Sequence, residues 1–179
     1  PLAENIHVNG VLSVTLAPAR VTPTLVAAAE SCAARLAEAL DYVGAFAIEF
    51  FEVDGQLLAN EMAPRVHNSG HWSIEGAVTS QFENHIRAVA GLPLGDTSPR
   101  GVSCMLNWIG ELPDRNQALT VPGLHWHDYG KSARAGRKVG HATITASDTA
   151  ELRRRLKLAA ELLGRQAQIE PALARLALA

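Results

Sequence analysis

The chain is poor in cysteine, close to neutral, free of long apolar runs and without a lysine before Lys131. Each scarcity excludes something. Two cysteines in 179 residues, Cys32 and Cys104, supply no disulfide framework. In an expected helix and strand they read as reduced core residues, which suits a cytoplasmic protein. A formal charge of −2 leaves no broad field for a nucleic acid. No stretch approaches the ~18 apolar residues of a membrane span. The most apolar helical segment, Leu25 to Leu40, is interrupted by Glu30, Arg35 and Glu38. The first residues lack a basic region followed by an apolar one, so no signal peptide is expected. There is no Gly-rich phosphate loop and no HExxH pattern, and the Asn-Ser-Gly between His67 and His71 breaks any helix that could pair them on zinc. What is present is ordinary for one domain or two small ones with a real core: 47% hydrophobic and 19% charged residues.

Taken in order, Pro1 to Pro18 reads as a hairpin around Asn9-Gly10. Thr22-Pro23 caps and opens a helix whose inward face is Leu25, Ala29, Cys32, Leu36 and Leu40. A second hairpin, Ala45 to Val53 and Leu57 to Met62, turns at Asp54-Gly55. After a polar loop, Thr79 or Ser80 caps a helix with Phe82, His85, Ile86 and Val89 inward, stopped by Gly91 and Pro93. Leu94 to Arg100 reads as a linker. Gly101 to Ile109 is a buried strand, Ala118 to Tyr129 holds short strands, and Val139 to Ala146 alternates as a strand should. Asp148-Thr149-Ala150-Glu151 is a capping box for a helix with Leu152, Leu156, Ala159 and Leu163 inward. From Arg165 onward the chain is Ala/Leu rich and reads as a short helix or a frayed end.

The chemistry concentrates in the second hairpin and the loop after it. Glu49 and Glu61 can bridge Mg²⁺ along a triphosphate if they share a face. A two-residue loop would set Glu49 opposite Asn60 and turn Glu61 away. A three-residue loop, Asp54-Gly55-Gln56, would set Glu49 opposite Glu61, so a metal site here requires the odd loop. Glu49 stands in an apolar run, where an unpaired acid is costly to bury. The plainer alternative is a pair of solvated strand residues. In Pro64 to Trp72, Arg65 offers a fixed fork of donors for an anionic oxygen pair. His67 and Asn68 can donate or accept hydrogen bonds, and Ser69-Gly70 lets the backbone approach a ligand. Lys131, Arg134, Arg137 and Lys138 crowd one Gly-containing loop, which suits a phosphomonoester or is a solvated turn.

The run Glu49, then Asn60-Glu61-Met62-Ala63-Pro64-Arg65-Val66-His67-Asn68-Ser69-Gly70-His71-Trp72, resembles the signature of the 5-(carboxyamino)imidazole ribonucleotide synthase family of ATP-grasp ligases. The likeness continues through Ser80-Gln81-Phe82-Glu83. It returns at Leu124-His125-Trp126-His127, Lys131 and Arg134 to His141, and begins at Pro1-Leu2-Ala3-Glu4-Asn5. Ala63 stands where wider ATP-grasp relatives often carry Asn, as is usual in this family. The resemblance implies an α+β fold: residues 1–94 as the C-terminal half of an ATP-grasp domain, an antiparallel sheet with helices on one face, and 95–179 as a small β-rich domain with a closing helix. It implies ATP and two Mg²⁺ ions held by Glu49, Asn60 and Glu61, with Glu49 and Glu61 as metal ligands. Arg65, His67 and Asn68 would line the place where bicarbonate becomes carboxyphosphate, His67 being a candidate for the amine proton. Lys131, Arg137 and Lys138 would hold the phosphate of aminoimidazole ribonucleotide.

The family also has an N-terminal nucleotide-fold-like domain and the first half of the ATP-grasp, and is commonly dimeric. With Pro1 opening straight into strand-like sequence, the expectation is an incomplete polypeptide, inactive alone, whose partner is the rest of the same enzyme. Two other readings compete: a different ATP-grasp carboxylase-like ligase, and a non-catalytic half-domain serving binding or dimerisation.

Overall fold

A computed structural model describes residues 1–177. β1 (Glu4–Val8) and β2 (Val11–Ala17) form the expected hairpin. Asn9 and Gly10 both take positive φ, 51° and 74°, the backbone of a type I′ turn. β5 (Val102–Ile109), β6 (Leu124–Asp128) and β7 (Lys138–Ala146) join this hairpin in one five-stranded sheet of order β1-β2-β5-β7-β6, antiparallel throughout. The sheet is therefore continuous across residues 94 and 95.

The two faces of β5 do different work. Cys104, Leu106 and Trp108 point to α5 (Thr149–Leu163) and α6 (Gln166–Ala177), where Leu152, Leu156, Ala159, Ile169, Ala172 and Leu176 complete the main core. Each large apolar side chain fully buried there contributes about 1.5–3 kcal/mol. Met105, on the opposite face, packs with Leu12, Ala17, Trp72 and Ala77. Trp72, 4% exposed, anchors the end of the polar loop against the sheet. α5 begins at Asp148, whose side chain accepts from Glu151 N, while Glu151 accepts in return from Ser147 N. It ends at Gly164 in the left-handed conformation. The tail after Arg165 is helical over its described part, with Pro171 inside it, and residues 178 and 179 lie outside the described residues.

β3 (Ala47–Val53) and β4 (Gln56–Ala63) pair as a separate two-stranded sheet. α1 (Pro23–Ala39), capped by Thr22, leans on β4. Two expectations fail here. Of the predicted inner face of α1 only Ala29 is buried, and Cys32 is exposed rather than in a core. In α3 (Gln81–Val89), capped by Ser80, the predicted inner residues Phe82, Ile86 and Val89 are exposed and none of the helix is buried. The amphipathic period is present in both helices, but among the described residues little covers their apolar faces. Two of the α3 set still find partners: His85 Nδ1 accepts from Ala45 N at 3.0 Å, and the Phe82 ring lies 5.2 Å from that of His71. The predicted linker is fastened down: Gly95 and Asn84 exchange two hydrogen bonds, Val78 N donates to Ser98 O, and Arg100 N donates to Gly76 O. Among the described residues no helix is long and apolar enough to cross a membrane.

Candidate active site

Glu49 and Glu61 lie directly opposite each other on β3 and β4. The shared face is as required, but the route to it is not the odd loop. Val53 pairs with Gln56, so the turn is the two-residue Asp54-Gly55, with φ of 51° and 76°. The odd residue is Asn60. Glu49 faces Glu61 while Phe50 faces Ala59, leaving Asn60 as a bulge inside β4. One extra residue in a strand changes the facing parity as surely as one in the loop.

His67 closes the group. Its Nδ1 lies 3.8 Å from Glu49 Oε1 and its Nε2 3.4 Å from Glu61 Oε1. One ligand atom from each of the three falls within 4.8 Å of the others. The side chains of Glu49 and His67 are 11% and 12% exposed, that of Glu61 57%. Glu49 is oriented from the other sheet: Asn5 Nδ2 donates to its Oε1 at 3.2 Å, and Thr15 Oγ1 donates to Asn5 Oδ1 at 2.9 Å. Asn60, Lys138, His7 and Phe51 join Glu49, Glu61 and His67 around an open cleft of about 510 Å³.

The polar loop is built to hold His67. A 3₁₀ turn runs over Asn68–Gly70 with His67 as its cap, Nδ1 accepting from Ser69 N at 3.3 Å. Ser69 Oγ also lies 2.7 Å from Nδ1; with Nδ1 accepting from Ser69, Nε2, the nitrogen facing Glu61, is the one that can donate. Gln81, from the start of α3, grips the His67 backbone on both sides, accepting from its N–H at 3.0 Å and donating to its carbonyl at 2.8 Å. The absence of a side chain at Gly70 makes room for this grip, since a Cβ there would lie 2.5 Å from Gln81 Oε1. Asn68 forms a reciprocal amide pair with Asn107 of β5. Arg65 is exposed, with one N–H given to the Val66 carbonyl, and does not line the cleft.

The basic loop is divided. Lys138 turns toward the carboxylates. Burial pulls its pKa down, and the charges of Glu49 and Glu61 partly restore it. Lys131 sits over the Tyr129 ring, 5.1 Å from its centroid, and Arg137 donates to Ser132 Oγ at 3.1 Å. Reading Lys131, Arg137 and Lys138 as one cluster does not anticipate this split.

A histidine cluster lies behind the loop, with His141 buried and His71 and His127 half-buried. His127 stacks on His141 at 4.2 Å, and His71 lies 5.3 Å from His141. Glu75 Oε1 is 2.7 Å from His127 Nε2, and the Tyr129 hydroxyl is 2.9 Å from His141 Nδ1. Burial, then the neighbouring histidines, lowers His71 to about 4 and His141 to about 3. Burial pushes Tyr129 up to about 12, against a hydrogen bond from Asn68. Both His71 and His141 are thus neutral at pH 7. The alternation of His125, His127 and Tyr129 along one strand hinted at a shared face, but the contribution of His141 from the next strand had no local signal.

Comparison with known proteins bears on the family and the fold. Residues 1–82 match the ATP-grasp domain, and residues 103–155 match the phosphoribosylaminoimidazole carboxylase C-terminal domain. The N5-carboxyaminoimidazole ribonucleotide synthase of Pseudomonas aeruginosa is 55% identical over 156 residues, covering 87% of this chain and 43% of that protein. The crystal structure of N5-carboxyaminoimidazole ribonucleotide synthetase from Thermus thermophilus superposes with a TM-score of 0.89 at 55% identity, over 92% of this chain and 46% of that one. That of the Aspergillus clavatus synthase, in complex with ADP and 5-aminoimidazole ribonucleotide, gives 0.82 at 33% identity, over 91% and 47%. The matched domain and the α+β fold place this chain in the ATP-grasp class. Within that class it belongs to the N5-carboxyaminoimidazole ribonucleotide synthase family. It spans less than half the length of the curated relatives it matches.

Proposed function

We propose that the enzyme carrying this chain uses ATP and bicarbonate to carboxylate 5-aminoimidazole ribonucleotide on its exocyclic amine, releasing ADP and phosphate. The observation that carries this is the placement of Glu49 opposite Glu61 with His67 between them and Lys138 in the same cleft. Two carboxylates on one face are the donor set a hard divalent cation takes, and Glu49 and Glu61 would hold Mg²⁺. When bound, the metal supplies charge neutralisation along the triphosphate and leaves other positions to phosphate oxygens and water. Asn60, lining the cleft at the bulge, would contact the nucleotide.

The chain's own groups do the rest by position and charge. ATP gives its γ-phosphoryl to a bicarbonate oxygen, and the mixed anhydride forms with loss of ADP. Arg65, outside the cleft in this structure, would reach the bicarbonate oxygen pair from its loop with the N–H groups not given to Val66. His67, with its proton on Nε2 and Nδ1 occupied by Ser69, donates to the oxygen on which charge develops. Asn68 would position the acyl group from the loop. The ribonucleotide amine then attacks the carboxyl carbon, the bond to phosphate breaks, and the amine's proton leaves with the departing phosphate. Lys131 and Arg137 would hold the ribonucleotide phosphate, while Lys138, facing the carboxylates, serves the anionic oxygens in the cleft.

Free thiols at Cys32 and Cys104 support a cytoplasmic setting. A homodimer belongs to the same reading and is decided by sedimentation of the intact enzyme. The test of function is ADP release by the enzyme that carries this chain. Release requires both bicarbonate and the ribonucleotide, and Lys131→Ala raises KM for the ribonucleotide with KM for ATP unchanged. A Lys131→Ala enzyme with unaltered ribonucleotide KM would remove the phosphate-binding assignment.

A further inference from the structure

Asn107 is the one amide in the strand Val-Ser-Cys-Met-Leu-Asn-Trp-Ile, and it is 1% exposed. A carboxamide buried there is costly unless its donors and acceptor are used. They all are. Nδ2 donates to the Leu12 carbonyl at 2.9 Å and to Asn68 Oδ1 at 2.7 Å, and Oδ1 accepts from Asn68 Nδ2 at 2.9 Å. The backbone is pinned as well. Gln168 of α6 donates to the Asn107 carbonyl at 2.8 Å and to the Ser13 carbonyl at 3.2 Å.

This arrangement carries directional information. The Leu12 carbonyl accepts only, so it fixes which end of Asn107 is the NH₂. With Nδ2 so placed, the group it meets on Asn68 must be an oxygen. Asn68 Nδ2 must then face Asn107 Oδ1. The orientation of the Asn68 carboxamide, donor end and acceptor end, is dictated from a strand outside the loop. The second N–H of Asn68 takes no part in this pair.

We propose that Asn107 is a positioning residue that sets the orientation of the Asn68 carboxamide through the reciprocal amide pair, and that turnover depends on that orientation. The inference rests on the proposed role of Asn68 in the carboxylation. Asn107→Asp keeps the shape but removes both donors, so the Leu12 carbonyl and Asn68 Oδ1 lose their partner and Asn68 is free to turn.

The experiment is a double-mutant cycle in the enzyme that carries this chain, measuring ADP release with bicarbonate and the ribonucleotide. Asn107→Asp lowers kcat about 10- to 100-fold with KM for ATP unchanged within about twofold. Asn68→Ala alone causes a comparable loss. The double variant is no slower than Asn68→Ala, because Asn107 acts only through Asn68. Multiplicative losses in the double variant, or a full-rate Asn107→Asp enzyme beside a crippled Asn68→Ala enzyme, overturn the inference and leave the functional reading intact. An Asn68→Ala enzyme at full rate overturns the role given to Asn68 and the inference together, and leaves the carboxylation reading to its own test. If Asn107→Asp does not fold, the unsubstituted chain decides by ¹⁵N NMR. The Asn68 side-chain NH₂ protons exchange slowly with solvent and show a cross-peak to the Asn107 amide. Rapid solvent exchange with no such cross-peak overturns the pairing.

Discussion

Lowering the pH from 7 to 5 should destabilise this chain through two histidines. His141 is held to about 3 and His71 to about 4, both mainly by burial. Each is ordinarily near 6.5 in an unfolded chain. The sign follows from proton counts: below 6.5 the unfolded state binds protons that the native state does not, so stability falls as the pH falls. The loss begins near 6.5 and continues until the native-state values are reached. At pH 5 each histidine costs about 2 kcal/mol, and the pair about 4 kcal/mol, a large share of a domain's marginal stability. Carboxylates do not confuse this window, because Asp96, Asp148 and Glu151 are shifted downward by hydrogen bonds with Ser98, Glu151 and Ser147. Their contribution is lost only at lower pH. Urea unfolding of the chain at half-unit steps between pH 7 and 5 measures the slope. His141→Phe should halve it, whatever its effect on absolute stability. A slope near zero in the unsubstituted chain would refute the neutral cluster.

Other outcomes follow from particular contacts. Glu61→Gln should weaken binding of Mn²⁺, read by its EPR signal in the isolated chain, at least tenfold if the two carboxylates share a cation. Gly70→Ala should cost about 1–2 kcal/mol and loosen His67, because the new Cβ displaces a Gln81 carboxamide held by its bonds to the His67 backbone; hydrogen exchange at the His67 amide reports it. Gly101→Ala should lower thermal stability more, since φ is +84° and the added Cβ would strike the Ala146 carbonyl, a backbone atom that cannot step aside. Leu156→Ala, at a fully buried position of α5, should cost about 2–5 kcal/mol by urea unfolding.

The legible and illegible parts of this molecule divide along a physical line. Hairpins at Asn9-Gly10 and Asp54-Gly55, and the caps at Thr22, Ser80 and Asp148 with the helices they open, were readable because each is set by residues close in sequence, whereas the stretch after Arg165 stayed open between a short helix and a frayed end. The pairing of Glu49 with Glu61 was readable as a requirement, but its cause was not. A bulge at Asn60 leaves no mark in a strand pattern, whereas a turn does. The inner faces assigned to α1 and α3 were inferred from period alone, and period says which side is apolar without saying whether anything covers it. Asn107, the Gln81 grip and the place of Lys138 were out of reach for another reason. Each depends on a partner far along the chain, Asn68, His67 and the two glutamates, brought near by the sheet. The signature around Asn60 to Trp72 was strong enough to name the family before any of these contacts were visible.

The central claim is that the site built on Glu49, Glu61 and His67 carboxylates an amine at the expense of ATP. It is tested most directly by ¹³C-bicarbonate in the enzyme that carries this chain, with ¹³C NMR of the ribonucleotide product and ADP measured in parallel. The account predicts label on the exocyclic nitrogen in a one-to-one ratio with ADP, and neither product from the Glu61→Gln enzyme. ADP released without labelled product, or labelled product undiminished by Glu61→Gln, would contradict it.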